Sequence, residues 1–132
     1  MPAFSTPAIM LRRVEYGDYD LILTFFSLER GKISLIAKAA KKSTRRFGGI
    51  LQLFSVLEIV GTASRGRGLP VLQEAVLKHP FSEIRADVQK TAYASYWAEL
   101  IHDWIPDNER QTELFFLFRY VLGELEWSSR SW

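Results

Sequence analysis

Cysteine is absent from this chain of 132 residues, so disulfides and thiolate zinc sites are excluded at once. Its two histidines, His79 and His102, are too few to hold a metal through imidazoles alone. No apolar run approaches the length of a membrane span. The opening Met1-Pro-Ala-Phe-Ser-Thr-Pro7 lacks the basic stretch and apolar core of a secretory leader, so a soluble protein of a reducing interior is expected. There is no glycine-rich loop followed by Lys-Ser or Lys-Thr, so Gly48-Gly49 reads as a backbone turn into a strand rather than as a phosphate cradle. Glu15, Asp18 and Asp20 cluster around one turn and could in principle hold a magnesium ion. Acids favour turns in any case, and neither a histidine nor a second carboxylate pair is near in sequence, so magnesium chemistry is not expected there. The adjacent His102 and Asp103 are expected to face different sides of a helix and to form no dyad. The expectation is a protein that is not an enzyme and needs no cofactor or metal.

What is present is a strongly uneven charge. Between Arg30 and Leu57 the chain has seven basic side chains and no aspartate or glutamate. Five of them fall in Lys38-Ala-Ala-Lys-Lys-Ser-Thr-Arg-Arg46, directly before Phe47-Gly48-Gly49. Residues 1–80 carry 12 basic and 6 acidic groups, whereas residues 81–132 carry 5 and 9, so the formal net charge of +2 conceals a basic first part and an acidic second part. A polyphosphate is drawn to the first and repelled by the second, and salt weakens the attraction. Nucleic acid is the commonest polyanion for such a cluster, although a solvated surface loop has the same composition.

With 48% hydrophobic residues, the chain can bury enough surface for one domain, or for one domain with a small appendage. Its hydrophobic period changes near Pro80, which divides residues 1–80 from residues 81–132. Before Pro80, β-rich runs lie at about residues 8–15, 20–28, 32–40, 51–64 and 71–78. Tyr16-Gly17-Asp18-Tyr19 and Glu29-Arg30-Gly31 are short connections that predict a hairpin meander of three strands. The third connection is longer and carries the basic cluster. Arg65-Gly66-Arg67-Gly68 then joins the fourth strand to the fifth. Five short strands with a special link between the third and fourth predict an OB-fold, a five-stranded Greek-key barrel that often binds oligonucleotides, followed by a short helical region.

After Pro80 the period is helical. Ile84, Val88, Ala92, Tyr96, Trp97, Leu100, Ile101 and Trp104 predict one apolar stripe on a helix from near Ser82 to just before Pro106. Asn108 and Gln111 resemble a capping pair for a second helix, whose face would be Leu114, Phe115, Leu117, Phe118, Val121, Leu122 and Leu125. Two helices so joined should pack antiparallel. Their apolar surface exceeds what a helical hairpin can hide, so some of it must pack on the barrel, on a further segment or on another chain. Trp127 and Trp132 stand in a polar tail with no further element to receive them.

Several separated motifs carry a resemblance. Ala8-Ile-Met-Leu-Arg-Arg-Val-Glu-Tyr-Gly-Asp-Tyr-Asp-Leu-Ile-Leu-Thr24 is followed by Gly31-Lys-Ile-Ser-Leu-Ile-Ala-Lys-Ala-Ala-Lys-Lys42. Arg46-Phe-Gly-Gly49, Leu51-Gln-Leu-Phe-Ser55 and Thr91-Ala-Tyr-Ala-Ser-Tyr96 come next. In this order and spacing they resemble the bacterial RecO family of recombination mediators, from about residue 5 to 122. The resemblance implies an N-terminal OB-fold and a helical domain in a cytoplasmic, nucleoid-associated protein that binds single- and double-stranded DNA. It also implies annealing of complementary strands, and action with RecR and single-strand-binding protein in recombinational repair of DNA damage. Family members usually continue with more helices and often with a four-cysteine zinc site. Zinc therefore does not carry over, and docking of the single-strand-binding protein is less well supported.

On this reading Lys38, Lys41, Lys42, Arg45 and Arg46 neutralise phosphates. Arg12, Arg13, Arg65 and Arg67 extend the track if the barrel brings them onto one face. Phe47 is a candidate for stacking on a base, but its reading as a core anchor for the loop is favoured. Nothing offers a base-specific donor pattern, so binding should be largely independent of sequence. The alternative is a protein-interaction OB module that docks an acidic partner or tail without binding DNA. Self-association through the helical region is compatible with either.

Overall fold

Strand β1 (Ala3–Tyr16) is long enough to serve two partners. Its first half pairs antiparallel with β4 (Val56–Thr62) and its second half with β2 (Asp20–Ser27). Strand β3 (Gly31–Ala37) continues from β2, and β5 (Val71–His79) joins β4 to β3, so the ring closes in the order β1-β2-β3-β5-β4. The closing pair, Ile36 with Val71, is parallel. This is the five-stranded OB-fold barrel expected from the sequence. The computed structural model describes residues 3–42, 47–63 and 68–128.

The run Ala8-Ile9-Met10-Leu11 is apolar without alternation because both faces of β1 are covered there. Ala8 and Met10 face the barrel core with Leu23, Phe25 and Leu35, whereas Ile9 and Leu11 face the helices. Between Met10 and Arg12 the register slips at a bulge. Phe54, buried and at φ 70, fits into it, its amide bonding the Met10 carbonyl at 3.0 Å while the Met10 amide bonds the Ser55 carbonyl at 3.2 Å. Leu51, Phe54 and Ser55 are therefore buried without being strand, and β4 starts five residues later than the run Leu51–Ser64 suggested. Strand β3 likewise stops at Ala37, because Ala39 turns to φ 56. Strand β1 begins at Ala3, ahead of the expected start at Ala8. Pro7 does not interrupt it, since its carbonyl still accepts from the Leu28 amide at 2.9 Å.

The single helix expected from Ser82 to Pro106 is two: α1 (Ser82–Ala86) and α2 (Val88–Trp104). Asp87 separates them, extended at φ −120, and its Oδ1 accepts the Gln89 and Lys90 amides, the N-cap arrangement that an interior helical residue cannot adopt. The buried face of α2 is Lys90, Ala94, Ala98 and Ile101, so of the expected stripe Ile84 and Ile101 are buried and Trp97 packs partly against the core, while the small Ala94 and Ala98, outside that stripe, complete the contact. Val88, Tyr96 and Trp104 are exposed. In α3 (Thr112–Trp127) the face Phe115, Phe118, Leu122 and Leu125 is buried as expected, and Phe115 meets Phe26 of β2 edge to face with centroids 5.9 Å apart. Leu117 of the same expected face is exposed. Together with Ile84, these residues form one core with Ile9, Leu11, Phe26, Phe54 and Val56, so part of the surplus helical surface is spent on the barrel.

The expected capping pair does not form. Gln111 is the N-cap of α3 but makes no side-chain cap, and Asn108 sits at φ 61 with its amide bonded to the Lys32 carbonyl at 2.8 Å. The link between α2 and α3 thus lies on the turn between β2 and β3. Lys32 is buried beneath it, its ammonium bonded to the His102 carbonyl and 3.4 Å from Asp107. The Glu126 carboxylate accepts the Glu83 and Ile84 amides at 3.2 and 2.9 Å, tying the end of α3 to the start of α1. Arg85 donates to the carbonyls of Leu53 and Pro80, and burial lowers its pKa.

Candidate nucleic-acid interface

The basic link leaves β3 at Lys38 and is at once pinned to the turn between β1 and β2. The Ala39 amide bonds Asp20 Oδ1 at 2.7 Å, and the Lys41 amide bonds the Tyr19 carbonyl at 2.9 Å. The Lys41 ammonium reaches Glu15 at 2.6 Å, and the Lys42 ammonium lies 3.8 Å from the centroid of the Tyr19 ring. Three exposed lysines, Lys38, Lys41 and Lys42, are thereby gathered at one end of the barrel. The hydrogen bond and the charge of Lys41 hold the Glu15 carboxyl below its ordinary pKa, and the nearby charge of Arg13 adds to this. An exposed pair of this kind contributes little to stability, so Lys41 can exchange its carboxylate for a phosphate at small cost.

The other expected contacts divide. Arg13 is exposed and within electrostatic reach of Glu15. Arg12 is not free: its Nη2 lies 2.9 and 3.2 Å from the two carboxylate oxygens of Glu99 on α2, and this hydrogen bonding raises its pKa. Neighbouring positions on a strand point to opposite faces. Arg12 and Arg13 accordingly diverge, Arg12 toward Glu99 of α2 and Arg13 toward the charge of Glu15. Phe47 is 3% exposed within the barrel core, so its aromatic face is not available to a base. Arg45, Arg46, Arg65 and Arg67 lie outside the described residues. Of the acids weighed for magnesium, Asp20 and Glu15 are engaged as above, and no group of three potential ligands is found among the described residues. His102 and Asp103 do meet, contrary to expectation, at 3.3 Å on the surface.

One feature of the interface was not read from the sequence. Register pairs Val14 with Ile22, Ile22 with Ile36, and Ile36 with Val71, which sets four apolar side chains in a row across four strands. Their neighbours Leu21, Leu23, Leu35, Ala37 and Leu72 fill the barrel core, so by alternation the row points outward. At the other end of β1 and β2 the outward apolar residues Ile9 and Phe26 are covered by helices. Val14, by contrast, is 52% exposed and Tyr16, two residues on, is 55% exposed. Tyr16, Ile22, Ile36, Lys38, Gly68, Leu69 and Val71 line a depression of about 320 Å³. The signal available in the sequence was an apolar set offset by one residue from the core set in each strand.

Residues 1–81 match the family model for the N-terminal part of recombination protein O, and residues 85–132 match the model for its C-terminal part. The chain belongs to the RecO family. It is 47% identical over 127 residues to the DNA repair protein RecO of Desulfosudis oleivorans, covering 96% of this chain and 49% of that protein. The RecO of Desulfatibacillum aliphaticivorans is also 47% identical over 127 residues, and that of Anaeromyxobacter dehalogenans is 36% identical over 118. The chain spans about half the length of the curated relatives it matches.

Set against the RecO family resemblance, the barrel and the helical region occur in the expected order. No helix among the described residues is long and apolar enough to cross a membrane. Between α2 and α3 lies an apolar groove of about 580 Å³, lined by residues including Trp97, Trp104, Leu114 and Leu117.

Proposed function

We propose that this chain binds single- and double-stranded DNA through its barrel and promotes pairing of complementary strands in recombinational DNA repair, without catalysing a covalent step. The observation that carries this reading is the gathering of Lys38, Lys41 and Lys42 by a link pinned to the turn between β1 and β2. Three cations held close together neutralise adjacent phosphates and release counterions, and reduced repulsion lets a second strand approach. No side chain in the cluster presents a pattern that reads base edges, so the contacts position DNA without selecting sequence. In this reading residues 1–80 form the DNA-binding unit and residues 81–132 a partial helical domain that serves docking. RecR and single-strand-binding protein are the partners that the family suggests, and the bacterial cytoplasm, at the nucleoid, is the place. The direct test is anisotropy of labelled single-stranded and duplex oligonucleotides across a salt series, followed by strand annealing read by energy transfer.

A second reading rests on the groove between α2 and α3. An apolar face of this size on a soluble protein marks a contact surface, for a second copy or for another protein. It makes the chain an interaction module, with the basic cluster meeting an acidic partner. Sedimentation over a concentration series tests self-association, and absence of DNA binding at low salt would leave this reading ahead.

A further inference from the structure

We infer that the free edge of β5 is a self-pairing surface, on which a second copy of this chain adds its own β5 antiparallel across a two-fold axis centred on Val76. The inference is independent of the DNA-binding reading and of the groove between α2 and α3. Among the described residues, β5 meets β3 through the single pair Val71 with Ile36. Beyond that pair, the segment from Glu74 to Lys78 pairs with β4 alone, so its other edge has no strand beside it among the described residues. Leu77 marks the opening: it pairs with Leu57, which is wholly buried in the barrel core, yet is itself 36% exposed. A row of unpaired amides and carbonyls on a strand edge is a template for a further strand.

The side chains on that edge are ordered to suit a copy of themselves. Glu58 and Val60 of β4 alternate with the core residues Leu57 and Ile59, so their partners Val76 and Glu74 point outward. Lys78 falls at a bulge between the pairs Leu57 with Leu77 and Val56 with His79, and it lines a depression on the outer side with Val56 and Glu58. The outward order along the edge is therefore Glu74, Val76, Lys78. Val76 is 55% exposed, and the two charged groups are exposed and enter no ion pair among the described residues. Antiparallel pairing about Val76 packs it against the partner's Val76 and sets each Glu74 opposite the partner's Lys78, on both sides of the axis. Lysine on an edge strand ordinarily discourages pairing, and only the register centred on Val76 turns it into an attraction. A strand of unrelated sequence meets the same backbone without this match, so the charges select a second copy. Each dimer carries two copies of the Lys38, Lys41 and Lys42 cluster, a bivalence that the monomer lacks.

Sedimentation of the whole chain over a concentration series, with charge reversals on β5, tests this. Wild type should show a monomer–dimer equilibrium. Glu74→Lys and Lys78→Glu, each alone, set like charges in opposition on both sides of the axis. Each should weaken dimerisation roughly 2- to 30-fold, the range for two cross-strand pairs. The double variant Glu74→Lys with Lys78→Glu exchanges the charges and should recover wild-type dimerisation, which no effect on folding alone would produce. Val76→Lys should abolish the dimer by placing two ammonium groups at the axis. All three positions are exposed, and a circular dichroism melt in dilute solution checks that each variant is folded. Trp104→Glu, in the groove between the helices, should leave the equilibrium unchanged. A wild type that stays monomeric at the highest concentration reached overturns the inference. So does a double variant that dimerises no better than the single ones, or a dimer that is lost on Trp104→Glu and indifferent to the charges of β5.

Discussion

A Cβ placed on Gly31 would lie 2.0 Å from the backbone oxygen of Glu109, so the turn between β2 and β3 admits the link between α2 and α3 only because residue 31 has no side chain. The φ of +68 at Gly31 adds a second requirement for glycine. Gly17, at φ +65 in the preceding turn, has nothing within 4 Å of the same ideal position. The pair separates steric from conformational cost. Gly17→Ala should destabilise the protein by about 1 kcal/mol, the cost of a left-handed alanine. Gly31→Ala should cost at least about 2 kcal/mol more, because backbone must move, a loss on the scale of the larger single-residue effects. Urea denaturation of the two variants checks the difference, and equal midpoints would contradict the contact.

Phe47 gives a prediction in which packing and binding part company. Its side chain is buried in the barrel core beside Leu51, so Phe47→Ala should cost about 3–5 kcal/mol of stability. Whatever fraction remains folded should bind DNA with an unaltered salt slope, since no counterion contact is lost. A stable Phe47→Ala protein with specifically reduced single-strand binding would reverse the assignment.

Glu15 tests the geometry of the basic link by titration. Its hydrogen bond and charge interaction with Lys41 lower its pKa from the ordinary value of 4.5. A carboxylate lowered on folding contributes stability that is present above its unfolded pKa and is lost as pH falls through its folded pKa. The pair therefore matters at neutral pH and fades only below about 4.5. In a carbon-13 NMR titration the Glu15 carboxyl should have its midpoint below that value, and Lys41→Ala should move it upward. No change in midpoint would mean that Lys41 does not hold Glu15. Since Glu15 also competes with phosphate for Lys41, Glu15→Gln should strengthen DNA binding at low salt about two- to five-fold, the scale of one exposed ion pair.

The barrel was legible because the short apolar runs of β2, β3 and β5 and the turn glycines Gly17 and Gly31 all carry local signals. The start of β4 was not, since Phe54 is buried through a bulge in a distant strand, and burial alone cannot be told from strand in a short apolar run. The burial of α2 was misread for a related reason: the large residues Tyr96 and Trp104 dominate the periodicity, while Ala94 and Ala98 make the close contact. In the candidate site, Lys38, Lys41 and Lys42 follow from charge alone. The removal of Arg12 by Glu99, across 87 positions, and the outward apolar row both depend on register, which composition does not contain.

Replacing Lys38, Lys41 and Lys42 together by alanine tests the central claim most directly. All three are exposed, so stability should change by only a few tenths of a kcal/mol per site. Affinity for single-stranded DNA should fall sharply, and the slope of log affinity against log salt should become shallower by about 0.7 per lost contact, roughly two units in all, to the same extent for unrelated base sequences. Arg12→Ala, whose partner is Glu99, should leave that slope unchanged. If the triple variant keeps the wild-type affinity and slope, the lysine cluster is not where DNA binds, and the proposed function loses the observation on which it stands.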